Sequence, residues 1–137
     1  MRYYLDTNII SFLLFNPDDL DRDVSNIVSD YSNSFYTSSV CVMELVQLIL
    51  RYNEKRKRPI DHSKILDYLH DFNVEIQYVC RSHLMAYTSM PVLHSDPNDR
   101  LIIAQAASDK ITLISSDLQF AQYQSKLKDF KFVLNKR

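Results

Sequence analysis

The residue pattern of this chain predicts an α/β fold with a mainly parallel central sheet of about five strands, flanked by helices on both faces. Two observations carry that expectation. Short apolar and β-branched runs alternate with stretches of helical periodicity from one end to the other. Strands separated by helices pair in parallel, because a parallel crossover needs about a helix's length of chain. The chain also has 137 residues with no internal repeat, linker or low-complexity segment. That is most simply one domain, residues 1–137, long enough to bury a core without staples.

Taken in order, RYYLD at 2–6 reads as a short buried strand, and TNIISFLLF after it as a short helix or turn. Within 18–32, Leu20, Val24, Ile27, Val28 and Tyr31 recur at helical spacing behind acids that suit the positive end of a helix. SFYTS at 34–38 is the second strand. Ser38 or Ser39 caps the helix that follows, and Pro59 ends it. Residues 61–72 form another helix with Ile65, Leu69 and Phe72 on one side, VEIQYVC at 74–80 a third strand, and 81–90 a further helix. Asp96 caps and Pro97 opens a helix that runs to about residue 108. ITLIS at 111–115 is the fourth strand, a short helix follows Asp117, and FKFVL at 130–134 is the last strand.

Composition excludes several classes. The chain contains no glycine, so the phosphate-cradling loops of P-loop enzymes and of dinucleotide-binding folds cannot be present. Turn positions with positive φ must fall to Asn or Asp, with Asn53, Asn73 and Asp109 the candidates. Cys41 and Cys80 lack C-x-x-C spacing and sit among apolar residues, which reads as two buried free thiols in a reducing compartment. His62, His70, His83 and His94 are scattered and show no zinc-ligand spacing. The stretch 40–50, the longest apolar run, holds Glu44 and Gln47 and is too short to span a membrane. No signal-peptide pattern opens the chain, so a cytoplasmic location is expected. With a net charge of −1, any nucleic-acid contact must use a local basic patch or metal ions.

Four acids stand out, each with an ordinary reading beside a chemical one. Asp6 and Asp117 follow strands, so a parallel sheet brings both to its carboxyl edge, where ligands bind, although each also suits a helix N-cap. Asp99 lies in the first turn after Pro97, where an acid complements the helix dipole. Glu44 interrupts VCVMELVQLIL with no Ser or Thr three residues earlier to make a capping box. A solvent-facing stripe with Gln47 and Arg51 is its alternative. Gathered at one edge, such acids repel: each pair at ~4 Å costs about 4 kcal/mol at an effective dielectric of about 20. A positive occupant must fill the cluster, and hard oxygen donors without His or Cys select Mg²⁺ or Mn²⁺.

YYLDTNII, SSVCVMELV, HSDPNDRLIIAQA and LISSDLQF, in this order and at these intervals, resemble the PIN-domain family, and more narrowly the VapC-type ribonuclease toxins of type II toxin–antitoxin pairs. The resemblance spans essentially the whole chain and implies a PIN-like fold. It implies Asp6, Glu44, Asp99 and Asp117 as catalytic, metal-holding acids, Asp117 mostly through water, with Asn8 and Ser115 supporting them; Asp96 is left as the cap. Asn98 departs from the aromatic the family often carries there, and Asp109–Lys110 must turn where the family has glycine. The implied activity is metal-dependent RNA hydrolysis, with in-line attack of water leaving 5′-phosphate and 3′-hydroxyl ends. The run RYNEKRKR suggests Arg51, Lys55, Arg56, Lys57 and Arg58 as RNA-backbone contacts, against the plainer reading of a solvated helix end. The resemblance further implies a homodimer and a cognate antitoxin, with Phe12, Leu13, Leu14 and Phe15 as candidates for its groove or, alternatively, for the core. Other readings are a non-catalytic PIN-like interaction module and a DNA or structure-specific nuclease. An aspartyl phosphatase is disfavoured, since D-T-N-I-I lacks the second Asp of D-x-D.

Overall fold

The computed structural model describes residues 1–56 and 58–137; Lys57, one of the expected RNA contacts, lies outside them. The order is β1 (Arg2–Leu5), α1 (Thr7–Phe15), α2 (Arg22–Ser29), β2 (Ser34–Ser38), α3 (Ser39–Asn53), α4 (Ile65–Asp71), β3 (Val74–Gln77), α5 (Arg81–Ser89), α6 (Pro97–Asp109), β4 (Thr112–Ser115) and β5 (Phe132–Leu134). Short 3₁₀ turns at Pro17–Asp19, His62–Lys64 and Leu118–Tyr123 join them. No helix among the described residues is long and apolar enough to cross a membrane.

The five strands form one parallel sheet in the order β3-β2-β1-β4-β5. From β1 the chain winds outward to β2 and β3, then returns to place β4 on the other side of β1. The β1–β4 seam is therefore the topological switch point, and loops diverge there to leave a crevice at the carboxyl edge. Asp6 lies at this seam, with its backbone N–H donating to the Ile114 carbonyl at 3.0 Å. Tyr3, Tyr4 and Leu5 of β1 and Leu113 and Ile114 of β4 are all buried. Consecutive apolar residues can all be buried only where both faces of the sheet are covered.

Several boundaries differ from expectation for physical reasons. The strand expected over 74–80 stops at Gln77, because its neighbour β2 ends at Ser38, the partner of Gln77, and nothing remains to pair with. Cys80 is consequently exposed rather than buried; it is the N-cap of α5. Cys41 is buried as expected. Of the expected positive-φ residues, Asn73 is one (59°), while Lys110 (56°) takes the turn expected of Asp109, and Asp129 (66°) is a third. Asp109 is held in the helix because its carboxylate accepts from the Tyr4 hydroxyl and faces His83. Asn53 ends α3 and instead clasps the returning chain, donating to the Ile60 carbonyl at 2.7 Å and accepting from its N–H at 2.8 Å.

The loop between α5 and α6 is fixed at several points. The buried Tyr123 hydroxyl accepts from Leu93 and His94 N–H at 2.8 and 3.1 Å and donates to the Pro91 carbonyl at 3.1 Å. Arg100 donates to the His94 carbonyl at 2.6 Å and to the Tyr87 hydroxyl at 3.1 Å. These bonds determine where the loop's one buried polar residue, His94, is presented.

Candidate active site

Asp6 is the best-held acid. As N-cap of α1, its Oδ1 accepts from the Thr7 N–H at 2.8 Å. Its Oδ2 accepts from the Ser115 hydroxyl at 2.6 Å and from the Asn8 amide at 3.5 Å. The Cys41 thiol lies 3.8 Å from Oδ1. Burial pushes the Asp6 carboxyl up, the Ser115, Thr7 and Cys41 contacts oppose this, and the charge of Asp117 adds to it. Burial also raises the Cys41 thiol well above its ordinary range, with Asp6 beside it. Cys41 thus serves Asp6 as a neutral donor. Capping and a chemical role coexist here, since the cap uses only part of the carboxylate's acceptor capacity.

Glu44 stands on α3, two residues into the second turn, and its Oε1 accepts from the Thr7 hydroxyl at 3.1 Å. It is half-buried, whereas Gln47 and Arg51 are exposed, so Glu44 is not part of a solvent stripe with them. Burial raises its carboxyl, and the charges of Asp6 and Asp96 add to the rise. Asp96 caps α6 as expected, its Oδ1 accepting from the Asn98 N–H at 2.8 Å. Asp99 follows in the first turn. Its carboxyl is pushed up to about 7, first by burial and then by the charges of Asp6, Asp96 and Glu44, with His94 opposing.

Asp117 caps the 3₁₀ turn after β4: its Oδ1 accepts from the Gln119 N–H at 2.9 Å, and its own N–H donates to the Ser115 hydroxyl at 3.1 Å. Asn8 ties the two loops together by accepting from the Ser116 N–H at 3.1 Å. Ser115 and Asn8 therefore both contact Asp6 while bracing the loop of Asp117.

Asp6, Glu44, Asp99 and Asp117 line a single cavity of about 240 Å³, with Thr7, Asn8, Leu48 and Asp96 completing the wall. One oxygen each from Glu44, Asp96 and Asp99 lie within 4.8 Å of one another, and a second set of this kind comprises His94, Asp99 and Asp117. Clustered oxygen donors, with carboxyl groups raised by mutual repulsion and burial, fit a hard divalent cation.

Two expectations about this site need correction. Asp96 is more than a cap, since besides accepting from the Asn98 N–H it brings an oxygen within 4.8 Å of oxygens of Glu44 and Asp99. And a histidine stands among the carboxylates, where only oxygen groups were expected. His94, only 7% exposed, brings Nε2 to 2.9 Å from Asp117 Oδ2 and 3.4 Å from Asp99 Oδ2. Its position two residues before Asp96, inside the segment that carries the other acids, was the available signal. Thr7 was likewise legible only as part of D-T-N.

Among the described residues, none of the basic run lines the cavity. Arg51, in the last turn of α3, and Lys55, Arg56 and Arg58, beyond its end, are exposed, with the Arg56 guanidinium 4.6 Å over the Tyr52 ring. An apolar groove of about 420 Å³ lies between these two regions, lined by Phe15, Leu45, Leu48, Ile49, Tyr52 and Ile60 with Ser11 and Asn16. Of the four residues expected there, only Phe15 lines it. Phe12 is buried in the core, and Leu13 and Leu14 pack against the core.

The chain belongs to the PIN domain family, whose model matches residues 3–126. More particularly, its fold is that of chains in three solved VapBC structures. The first is VapBC2 from Rickettsia felis, bound to a DNA fragment from their promoter, with 19% identity, a TM-score of 0.68, and 99% of this chain and 100% of that one covered. VapBC-1 from nontypeable Haemophilus influenzae matches at 18% identity and a TM-score of 0.64, covering 98% of each chain. VapBC-5 from Mycobacterium tuberculosis, a member of a family of toxin–antitoxin systems, matches at 19% identity and a TM-score of 0.61, covering 97% of this chain and 98% of that one. No curated protein sequence matches.

Proposed function

We propose that this protein is a single-domain, metal-dependent endoribonuclease, the toxin of a toxin–antitoxin pair acting in the cytoplasm as a homodimer. The observation that carries the proposal is the convergence of Asp6, Glu44, Asp99 and Asp117, from four separate stretches of chain, onto one cavity at the sheet's switch point. Membership of the PIN domain family and the likeness to VapBC chains support it.

Glu44, Asp99 and Asp6 would hold Mg²⁺ or Mn²⁺, with Asp96 contributing an oxygen and Asp117 acting through water. A divalent ion held there supplies Lewis acidity toward a phosphodiester and toward water. The chain's own groups do the rest. Ser115, Asn8 and the Thr7 N–H fix the Asp6 carboxylate before substrate arrives, and Thr7 fixes Glu44. Such preorganisation avoids reorientation during reaction. Arg51, Lys55, Arg56, Lys57 and Arg58 would meet RNA phosphates beyond the acidic cavity, where Tyr52 also offers an aromatic face. The apolar groove would receive the antitoxin.

The deciding measurement is cleavage of total cellular RNA by the purified, partner-free protein, with Mg²⁺ or Mn²⁺ against chelator and wild type against Asp6→Asn. Discrete new 5′-phosphate ends that require both metal and Asp6 are expected. Cyclic 2′,3′-phosphate ends would overturn the mechanism. No RNA ends under any condition would overturn the ribonuclease and direct the next assay to single-stranded DNA. Neutralising Lys55, Arg56 and Lys57 together should reduce the log–log salt slope of RNA binding by ~2, from about 0.7 per phosphate contact. An unchanged slope would return the run to a solvated helix end.

A further inference from the structure

We propose that His94 is a positioning residue that acts as a fixed N–H donor to the acidic site and is not one of its metal ligands. The inference rests on the nuclease reading of that cavity. By proximity alone, His94, Asp99 and Asp117 make a three-point metal site. The hydrogen bonds around the ring argue otherwise. The Asp96 backbone N–H points at Nδ1 from 3.1 Å. A backbone amide can only donate, so Nδ1 must be the bare nitrogen, and the ring proton sits on Nε2. Nε2 is the atom that faces the carboxylates, 2.9 Å from Asp117 and 3.4 Å from Asp99. Carrying its proton, it offers no lone pair to a cation.

The ring has little freedom to do otherwise. It is buried, it meets Phe120 edge-on with ring centres 5.6 Å apart, and its backbone is held by Tyr123 and Arg100. Moving the proton to Nδ1 would set two donors, Nδ1–H and the Asp96 N–H, against each other.

Two consequences follow for the cavity. Asp117 has both oxygens engaged, Oδ1 by the Gln119 N–H and Oδ2 by His94. Like Asp6, it therefore keeps only part of its acceptor capacity for direct ligation. The carboxylates with a freer oxygen are Glu44, Asp96 and Asp99, the other three-point set. His94 thereby directs a divalent ion to the Glu44 side of the cavity and keeps Asp117 for water or substrate. The lock is written in one short segment, since the residue that supplies the amide, Asp96, also caps α6 and lines the cavity.

The test begins with the tautomer, read by long-range ¹H–¹⁵N correlation on the ¹⁵N-labelled full chain, metal-free and then with Zn²⁺. Zinc is the stringent probe because it takes imidazole readily. The expected result is a His94 ring protonated at Nε2 and bare at Nδ1 in both conditions. Loss of the Nε2 proton on adding Zn²⁺ would make His94 a ligand and overturn the proposal. The second arm compares His94→Leu with His94→Gln, whose side-chain amide can replace the Nε2–H donor. Calorimetric Mg²⁺ affinity should fall ~10–100-fold in His94→Leu, as for loss of an outer-shell partner, and most of it should return in His94→Gln. An unchanged affinity in His94→Leu, or equal losses in two variants that both melt cooperatively, would overturn it. Neither readout needs cleavage. An RNA-inactive wild type would sink the ribonuclease reading while leaving the His94 result standing.

Discussion

A histidine–aspartate pair stands at each end of the α5–α6 hairpin, the second completed by Asp117 from beyond β4, and the two pairs are built alike. At one end a backbone N–H, that of Cys80, donates to His83 Nδ1 at 3.0 Å, and Nε2 faces Asp109 at 2.9 Å. At the other, the Asp96 N–H and the Asp117 carboxylate do the same for His94. Both rings are buried. What differs is the company. Asp109 also accepts from the Tyr4 hydroxyl, and Gln105 donates to Tyr4 at 3.3 Å and to the Gln77 carbonyl at 3.1 Å. Donors there surround one carboxylate, with Gln105 Oε1 the unpaired buried side-chain atom among the described residues. Burial and Asp109 together push the Tyr4 phenol up, so it stays a donor. Around His94, by contrast, carboxylates outnumber donors. The first end is a clasp, and the second is a site with unmet negative charge.

The largest contrast should appear in paired substitutions. Asp99→Asn should lose RNA cleavage by more than the ~100-fold typical of an outer-shell change, with folding intact. Asp109→Ala should keep its specific activity while losing about 2–4 kcal/mol of stability in urea, because Tyr4 and His83 are left buried without an acceptor. A cleavage defect in Asp109→Ala at full folding would erase the distinction between the two ends.

A smaller effect separates them by pH. Asp99 titrates near 7 in the folded protein against an ordinary 3.8, so the folded state holds this proton more tightly. Its contribution is fully present below the lower value and is lost as pH rises through the higher one. Asp6 and Glu44 shift in the same direction. Metal-free protein should therefore lose on the order of 1 kcal/mol between about pH 5 and about pH 8, after allowance for solvent screening. Asp99→Asn should flatten that slope, and saturating Mg²⁺ should remove it. A slope that steepens on adding Mg²⁺ would place the unmet charge elsewhere. Smallest of all is Cys80→Ala, which keeps the backbone N–H that holds His83. A change within about 0.5 kcal/mol is expected, and a larger one would show that the thiol, not the amide, sets the ring.

The sequence made the fold and the four acids legible because both are carried by local pattern. Strand–helix alternation sets parallel pairing, and Asp6, Asp99 and Asp117 each sit at a strand end or helix start that the pattern itself marks. What escaped depended on partners distant in the chain. VEIQYVC has the composition of a longer strand, yet β3 ends where β2 runs out. Cys80 lost its expected burial with it. Phe12 and Phe15 are alike by type, and only packing sends one to the core and the other to the groove. His94 carries no ligand spacing because it is not spaced to be a ligand. Its tautomer depends on one backbone amide, which no residue type announces.

Leu48 lines both the acidic cavity and the apolar groove. A side chain shared as a wall by two binding regions makes their occupants thermodynamic neighbours. If filling the groove shifts Leu48 or dries the cavity's edge, ion affinity changes by some factor. Linkage then requires the ion to change the groove occupant's affinity by that same factor. Metal concentration would in that way set how firmly the groove holds its partner, with Leu48→Ala the substitution that uncouples the two.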